Sequence, residues 1–268
     1  MEIRSRGYAT DIALLAMSGS IVERFGDHVI VRSPHNPSHW WGNFLLLGSI
    51  PARRDQSGWI ARFHEAFPHS THVAIGIDVD YGSAEALQGF SEAGLGVNCF
   101  AVMTASVVEL PAVADDAVVL RPLRSGDDWA RSVELGVRCE DRGLDPVDYR
   151  AFLEAKAVSN RRLVAKGNGE WFGAFIHDEL ACQLGLVVTG EGRARFQTVE
   201  TAPDRRRQGL ARRLVAFAST WGLNQLAAQE LVMVAERDYW AIDLYRSLGF
   251  IETAVQLAVE RASTDGVT

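Results

Sequence analysis

Apolar residues in this chain fall into short strand-like runs separated by stripes of helical period, which predicts a mixed α/β protein. His28-Val29-Ile30-Val31-Arg32 predicts a strand stopped by Ser33-Pro34. Asn43 to Leu47 predicts a second, ended by Gly48 and Pro51. From Gly58 to Phe67 a helix is expected, with Trp59, Ile60, Phe63 and Phe67 on one stripe. Thr71 to Ile77 predicts a strand, and Ala84 to Glu92 a helix broken at Gly94-Leu95-Gly96. Cys99 to Glu109 is an apolar, strand-like region.

A short link holding Pro111 follows, and then a second set of elements. Val118 to Leu123 predicts a strand. Asp127 to Val137 predicts a helix with Trp129 and Val133 inward, and Pro146 to Leu163 a second one carrying Tyr149, Phe152 and Leu153. Phe172 to Ile176 and Cys182 to Val188 predict neighbouring strands joined around Asp178-Glu179. Arg193 to Thr201 predicts a strand, Arg207 to Leu223 a helix with Leu210, Leu214, Phe217 and Ala218 inward, and Glu230 to Ala235 a strand. Tyr239 to Leu248 predicts a helix on which Ile242 and Tyr245 share a face, and Phe250 to Val259 the last strand. The expected fold class is mixed α/β, a largely antiparallel sheet flanked by helices. Two domains are expected, 1–116 and 117–268.

Composition narrows the setting. At 268 residues and 47% hydrophobic content, either one large or two modest cores can be filled. The formal net charge of -7 makes general nucleic-acid binding a poor expectation, although Arg205, Arg206, Arg207, Arg212 and Arg213 form a local basic patch. The cysteines, Cys99, Cys139 and Cys182, are too widely spaced to suggest a disulfide framework or a metal knuckle. Met1 to Ser20 does not read as a signal peptide, and no apolar stretch is long enough to predict a membrane span. Cytoplasm is the expected compartment.

The most informative stretch is Arg206-Arg207-Gln208-Gly209-Leu210-Ala211. A strand, a bend and a small-residue helix start make a backbone anion site. Gly209 lets a ligand approach the main chain, Ala211 keeps the first turn thin, and the arginines can hold phosphates. This stretch resembles the cofactor loop of the Gcn5-related N-acetyltransferase superfamily, whose pattern is Arg/Gln, two variable residues, Gly, one variable residue and Gly/Ala. Arg206, Gly209 and Ala211 fit it, as does the lead-in Val199-Glu200-Thr201-Ala202-Pro203. Ala241-Ile242-Asp243-Leu244-Tyr245-Arg246-Ser247-Leu248-Gly249-Phe250 matches a second element of that family. The resemblance covers roughly 117–262, and the element order there agrees with the family's fold. The first unit lacks such a loop, and is expected to be either a degenerate acetyltransferase-like copy or an unrelated α/β cap.

The resemblance implies binding of acetyl-coenzyme A and transfer of its acetyl group directly to an amine. The pyrophosphate is expected on the N–H groups from Arg207 to Ala211, including Gln208 and Leu210. Arg206 is placed for phosphate contact, and Arg212 or Arg213 for the nucleotide end. The pantetheine arm is expected beside Val199–Thr201. Tyr245 matches the family's helix tyrosine, a proton donor to the departing thiolate, and its other role is packing with Ile242 and Leu248. Glu200 is the candidate general base, or else a carboxylate that binds a cationic substrate or orders a strand splay. His177 and Glu179 are weaker candidates. Asp238 stands where many relatives have Asn. It can still cap a helix, but an ionised Asp cannot donate as Asn does.

Trp171, Phe172, Tyr239 and Trp240 are candidates for pocket walls or for core. His35 to Asn43 reads as a polar, aromatic-rich loop, and Asp78 and Asp80 share a strand face, but turn roles are favoured over metal binding for both. No metal is expected. Gly94-Leu95-Gly96 reads as a turn. The leading expectation is an N-acetyltransferase acting on a small-molecule or peptide amine. The alternatives are a non-catalytic coenzyme A-binding sensor or scaffold, and an acyltransferase with a longer acyl donor. A dimer surface is a further role open to the first unit.

Overall fold

The structure is a computed structural model and describes residues 1–110, 117–141, 143–237 and 241–261. In chain order its helices and strands are α1 (Arg6–Met17), β1 (Ile21–Arg24), β2 (His28–Arg32), β3 (Phe44–Leu47), α2 (Gln56–Ala66), β4 (Val73–Ile77), α3 (Gln88–Glu92), β5 (Gly96–Ala105), β6 (Val118–Pro122), α4 (Gly126–Cys139), α5 (Pro146–Ala165), β7 (Gly169–Ile176), β8 (Glu179–Gly190), β9 (Arg193–Thr201), α6 (Leu210–Gln225), β10 (Glu230–Glu236), α7 (Ala241–Arg246) and β11 (Ile251–Arg261). The fold class is the expected one, mixed α/β with mostly antiparallel pairing. Among the described residues, no helix is long and apolar enough to cross a membrane.

The chain divides into two units that interleave in sequence. The first holds residues 1–103, 234–237 and β11 from Glu252 on, and the second holds residues 104–233 with α7. Sequence alone suggested one cut between 116 and 117. The difference comes from the last strand, because β11 pairs antiparallel with β4 from Leu257↔Ile77 to Arg261↔Val73. The link at Pro111 lies outside the described residues.

In the first unit β1, β2 and β3 form an antiparallel meander, α2 crosses over, and β4 lies parallel to β3. Every residue of β3 and β4 is buried, as a strand covered on both faces requires. Their pairing runs to Leu47↔Ile77, and Asp78 N–H donates to Leu47 O at 2.8 Å, so the pair is closed to the end of β3.

Helix α1 and strand β1 are absent from the sequence reading. Only Tyr8, Ile12 and Leu14 are its buried large apolar side chains, and Gly7 and Thr10 interrupt its apolar face. Tertiary contacts fix it instead. Tyr8 Oη donates to Leu257 O at 2.6 Å, and Gly76 leaves room beneath that ring, since a Cβ there would sit 2.5 Å from Tyr8. The buried Asp78 carboxylate accepts from the N–H groups of Arg4 and Ser5, both at 2.9 Å. That gives Asp78 a helix-entry role. The region expected as a helix over Ala84–Glu92 is a 3₁₀ turn, Ala84–Leu87, leading into α3. The strand expected to reach Glu109 ends at Ala105.

The second unit carries β6, β7, β8 and β9 as an antiparallel set, then α6 as a crossover and β10 parallel to β9. Its first helices have strong starts. Ser125 and Asp128 form a reciprocal capping box on α4, and Asp145 caps α5 with Pro146 in the first turn. The β7–β8 turn places His177 at φ 49° and Asp178 at φ 64°, the consecutive left-handed pair that suits a tight hairpin. Trp171 and Phe172, neighbours on β7, face opposite sides of the sheet. Phe172 packs edge-on against Phe217 and Trp221 of α6, and Trp171 lies 6.0 Å from Trp129 of α4.

Asp128 gathers four donors: Arg121 Nη1 at 2.8 Å and Nη2 at 2.9 Å, Arg124 N–H at 2.8 Å and Ser125 N–H at 3.2 Å. The Arg121 guanidinium, followed by the backbone donors, holds its carboxyl well below the usual carboxylate range. A depressed folded-state pKa contributes stability above the unfolded value near 3.9, and that stability is lost as pH falls through the folded value. Asp128→Asn is therefore expected to cost about 2 kcal/mol at neutral pH. Urea unfolding at pH 7 and pH 3 checks this: the deficit should shrink at the lower pH, and an equal deficit at both would contradict the assignment.

Candidate active site

Strand β9 organises the site. Its ladder to β8 runs from Gly190↔Arg193 to Cys182↔Thr201, with a slip between Gly185↔Gln197 and Gln183↔Glu200. Two residues, Thr198 and Val199, therefore stand opposite Leu184 alone, which is a β-bulge. Thr198 has φ 50°, a costly conformation for a β-branched residue and of the kind that clusters at functional sites. On the other edge, the parallel ladder to β10 runs only from Glu230↔Arg193 to Val232↔Arg195. Among the described residues, Phe196–Thr201 keep β8 on one edge and have no ladder to β10 on the other. Backbone donors and acceptors on that edge are available to an extended ligand. Val199 and Thr201 both lie in this stretch.

The chain leaves β9 through the 3₁₀ turn Pro203–Arg205 and enters a loop with Arg207 at φ 62° and Gly209 at φ 74°. The helix expected from Arg207 begins instead at Leu210, because two left-handed residues cannot continue a right-handed helix. Arg206, Arg207 and Gln208 thus belong to the loop. Gly209 is the N-cap, with no side chain to satisfy the first-turn N–H groups of Leu210, Ala211 and Arg212. A Cβ added at Gly209 would meet nothing within 4 Å, so the space before the helix start is open. The result is a concave array of N–H groups at the positive end of a four-turn helix, suited to an anion.

The arginines divide their roles. Arg206 Nε donates to Thr201 O at 3.4 Å, tying the loop to the end of β9. Arg212 Nε donates to Ser247 Oγ at 3.1 Å, which joins α6 to the end of α7. Arg207 is exposed at the loop. Asp238, with Tyr239 and Trp240, lies outside the described residues.

Tyr245 is 6% exposed and shares the buried face of α7 with Ile242, near Leu248. Its ring packs edge-on against Phe250 at 6.4 Å, and Phe250 packs on Phe196 of β9 at 5.9 Å. An aromatic chain therefore links Tyr245 to the point where β9 loses its β10 ladder.

Glu200 lines a small, open cleft between α4, α5 and the sheet, shared with Ser132, Leu153, Lys156, Trp171 and Gln183. Gln183 Nε2 donates to Glu200 Oε2 at 2.7 Å and to Ser132 O at 3.1 Å, while Ser132 Oγ donates to Gln183 Oε1 at 2.5 Å. Ser132 thereby fixes which way the amide faces, and the amide aims the carboxylate. The sequence reading missed Ser132, Gln183 and Lys156. Gln183 carried a signal, a lone amide in a strand of apolar residues, but Lys156 on a helix reads like any solvated lysine.

Two cysteines flank this region. Cys139 Sγ donates to Thr201 O at 3.4 Å, and Thr201 Oγ1 donates to Cys182 Sγ at 3.2 Å. Burial, reinforced for Cys139 by the Glu200 charge, pushes their thiols up to about 11 and about 12. Both remain thiols at neutral pH and offer no thiolate nucleophile.

The remaining candidates sit elsewhere. His177 and Glu179 are exposed at the β7–β8 hairpin. Phe172 belongs to the core, whereas Trp171 walls the cleft. The loop 35–43 is stitched by Asn43, whose side chain accepts from Ser33 N–H and donates to the carbonyls of Asn36, Pro37 and His39. Asp80 is exposed, and no acidic, histidine or cysteine cluster able to hold a metal occurs among the described residues. Gly94, at φ 82°, closes α3 as a turn.

Residues 137–250 match the model of the acetyltransferase (GNAT) family. That match runs from the end of α4 to Phe250, less than half of the chain. The fold of the chain as a whole is similar to several solved structures. A conserved protein of unknown function from Staphylococcus epidermidis has TM-score 0.71 at 12% identity, over 91% of this chain and 95% of that one. A GCN5-related N-acetyltransferase from Kribbella flavida has TM-score 0.65 at 13% identity, over 96% of each chain. A tandem GNAT protein from the clavulanic acid biosynthesis pathway has TM-score 0.56 at 13% identity, over 96% of this chain and 88% of that one. No curated protein matches the sequence.

Ser132→Ala deletes one hydroxyl and leaves Gln183 Oε1 without its buried donor. It is expected to cost about 1–2 kcal/mol, read as a lowered urea midpoint with an unchanged slope. An unshifted midpoint would contradict the network's role.

Proposed function

We propose that the second unit is an acetyl-coenzyme A-dependent N-acetyltransferase that moves the acetyl group directly to an amine. The observation that carries this reading is the run of β9 from Phe196 to Thr201, unladdered to β10 and leading straight into the glycine-capped start of α6. A pantetheine arm is amide-bearing and extended, so it can pair with such an edge as a strand does. A pyrophosphate suits the N–H groups from Arg207 to Ala211, and Arg206 and Arg207 add positive charge. The first unit has the same β–α–β crossover in β3, α2 and β4, but its pair is laddered to the end of β3. This supports one cofactor per chain, held by the second unit, and a degenerate origin for the first.

Acetyl-coenzyme A supplies the activated acyl group. Glu200, aimed by Gln183, serves as the base that takes the ammonium proton from the acceptor, directly or through water. The bulge at Thr198–Val199 turns backbone N–H groups out of the β8 ladder, where one can polarise a carbonyl. Tyr245 holds a phenolic proton for the departing thiolate. Protonated Cys139 and Cys182 favour direct transfer over an acyl-cysteine route. The acceptor is a small-molecule or peptide amine.

Calorimetry and turnover test this together. Wild-type protein is expected to bind one acetyl-coenzyme A per chain, and Gly209→Glu to weaken binding at least a hundredfold through charge and strain at φ 74°. Tyr245→Phe is expected to lower kcat about 10- to 100-fold with little change in cofactor affinity, and Cys139→Ala to keep turnover within about threefold. Equal cofactor affinity in Gly209→Glu would sink the loop assignment. Binding without turnover across amines would leave a coenzyme A-binding domain without catalysis.

A further inference from the structure

We infer that the acceptor is a free amino acid, an amine carrying its own carboxylate, and that Lys156 is the specificity residue that recognises that carboxylate. The inference rests on the acetyltransferase reading above and deepens it. The cleft that holds Glu200 also holds Lys156, supplied by α5, with Asn160 one turn further along the same face. Lys156 Nζ donates to Thr198 Oγ1 at 3.3 Å, which fixes the ammonium beside the bulge, two residues before Glu200. One carboxylate and one ammonium thus stand in the same small cleft. Trp171 and Leu153 supply apolar wall between and around them.

The charges argue for a zwitterion. A simple alkylamine or polyamine enters as a cation and is repelled by Lys156 as much as it is drawn by Glu200. An amino acid places its ammonium toward Glu200 and its carboxylate toward Lys156, so each charge of the zwitterion faces its opposite. Once the amine is acetylated, the product keeps its carboxylate but loses the cation, so Glu200 no longer favours it and release is assisted.

The test pairs each of the twenty free amino acids with its own carboxamide, in turnover with acetyl-coenzyme A. Amidation removes the anion while keeping the amine and side chain. It also lowers the amine's basicity, which by itself favours the amide, so a preference for the acid reads the anion contact. At least one amino acid is expected to exceed its carboxamide tenfold or more in kcat/KM. Lys156→Met is expected to abolish that preference, chiefly by raising KM for the acid, while Lys156→Arg retains most of it. Acetyl-coenzyme A affinity, measured by calorimetry on the same proteins, should be unchanged in both variants. Equal use of acid and carboxamide, an equal effect of Lys156→Met on both, or acetylation confined to uncharged-tail amines would overturn the inference and leave the acetyltransferase reading standing. Cofactor binding with no amino acid acetylated would overturn it too. Failure of the wild type to bind acetyl-coenzyme A would instead remove the reading on which it rests.

Discussion

The early end of the β9–β10 ladder is the constraint on which the site depends. A parallel pair that stopped only at the strand ends would leave no backbone for a ligand, as β3 and β4 illustrate in the first unit. The bulge at Thr198 and Val199 lies just beyond the last β9–β10 pair, Arg195↔Val232, and turns the strand there. Leaving backbone groups without a protein partner is costly unless water or a ligand meets them. The surroundings hold the strand in this state: Gln183 grips Glu200, Cys139 and Arg206 reach Thr201 O, and the Phe196–Phe250–Tyr245 chain packs one side.

Two conformational devices complete the arrangement at the loop. Left-handed φ at Arg207 and Gly209 delays the helix to Leu210, so the residues between β9 and α6 present N–H groups rather than spending them inside a helix. The first unit repeats the crossover architecture without the opened strand. Of the two crossovers, only the one through α6 has an opened edge among the described residues.

Much of this was legible from the residues. The β-branched, polar-alternating run Arg193–Thr201 gave β9 its bounds, and His28–Arg32 gave β2 its own. Gly209 stood out because it sits between an arginine-rich loop and a helical stripe, where a glycine lets a ligand approach the main chain. What stayed hidden depends on tertiary partners. Helix α1 is held by Tyr8 and Asp78 reaching residues far along the chain, and no local period reveals it. The start of α6 was misplaced by three residues because left-handed φ at Arg207 has no side-chain signature. Membership of β11 in the first unit follows from its pairing with β4, a long-range fact. Lys156, Gln183 and Ser132 come from three separate elements, and only the fold brings them to Glu200.

Backbone amide hydrogen exchange with and without acetyl-coenzyme A tests the central claim most directly, because it reads the very N–H groups the account assigns to the ligand. The account predicts new protection concentrated at Val199–Thr201 and Arg207–Ala211, with exchange at Leu45–Leu47 unchanged. Protection absent from β9 and the loop, or located in the first unit instead, would contradict it.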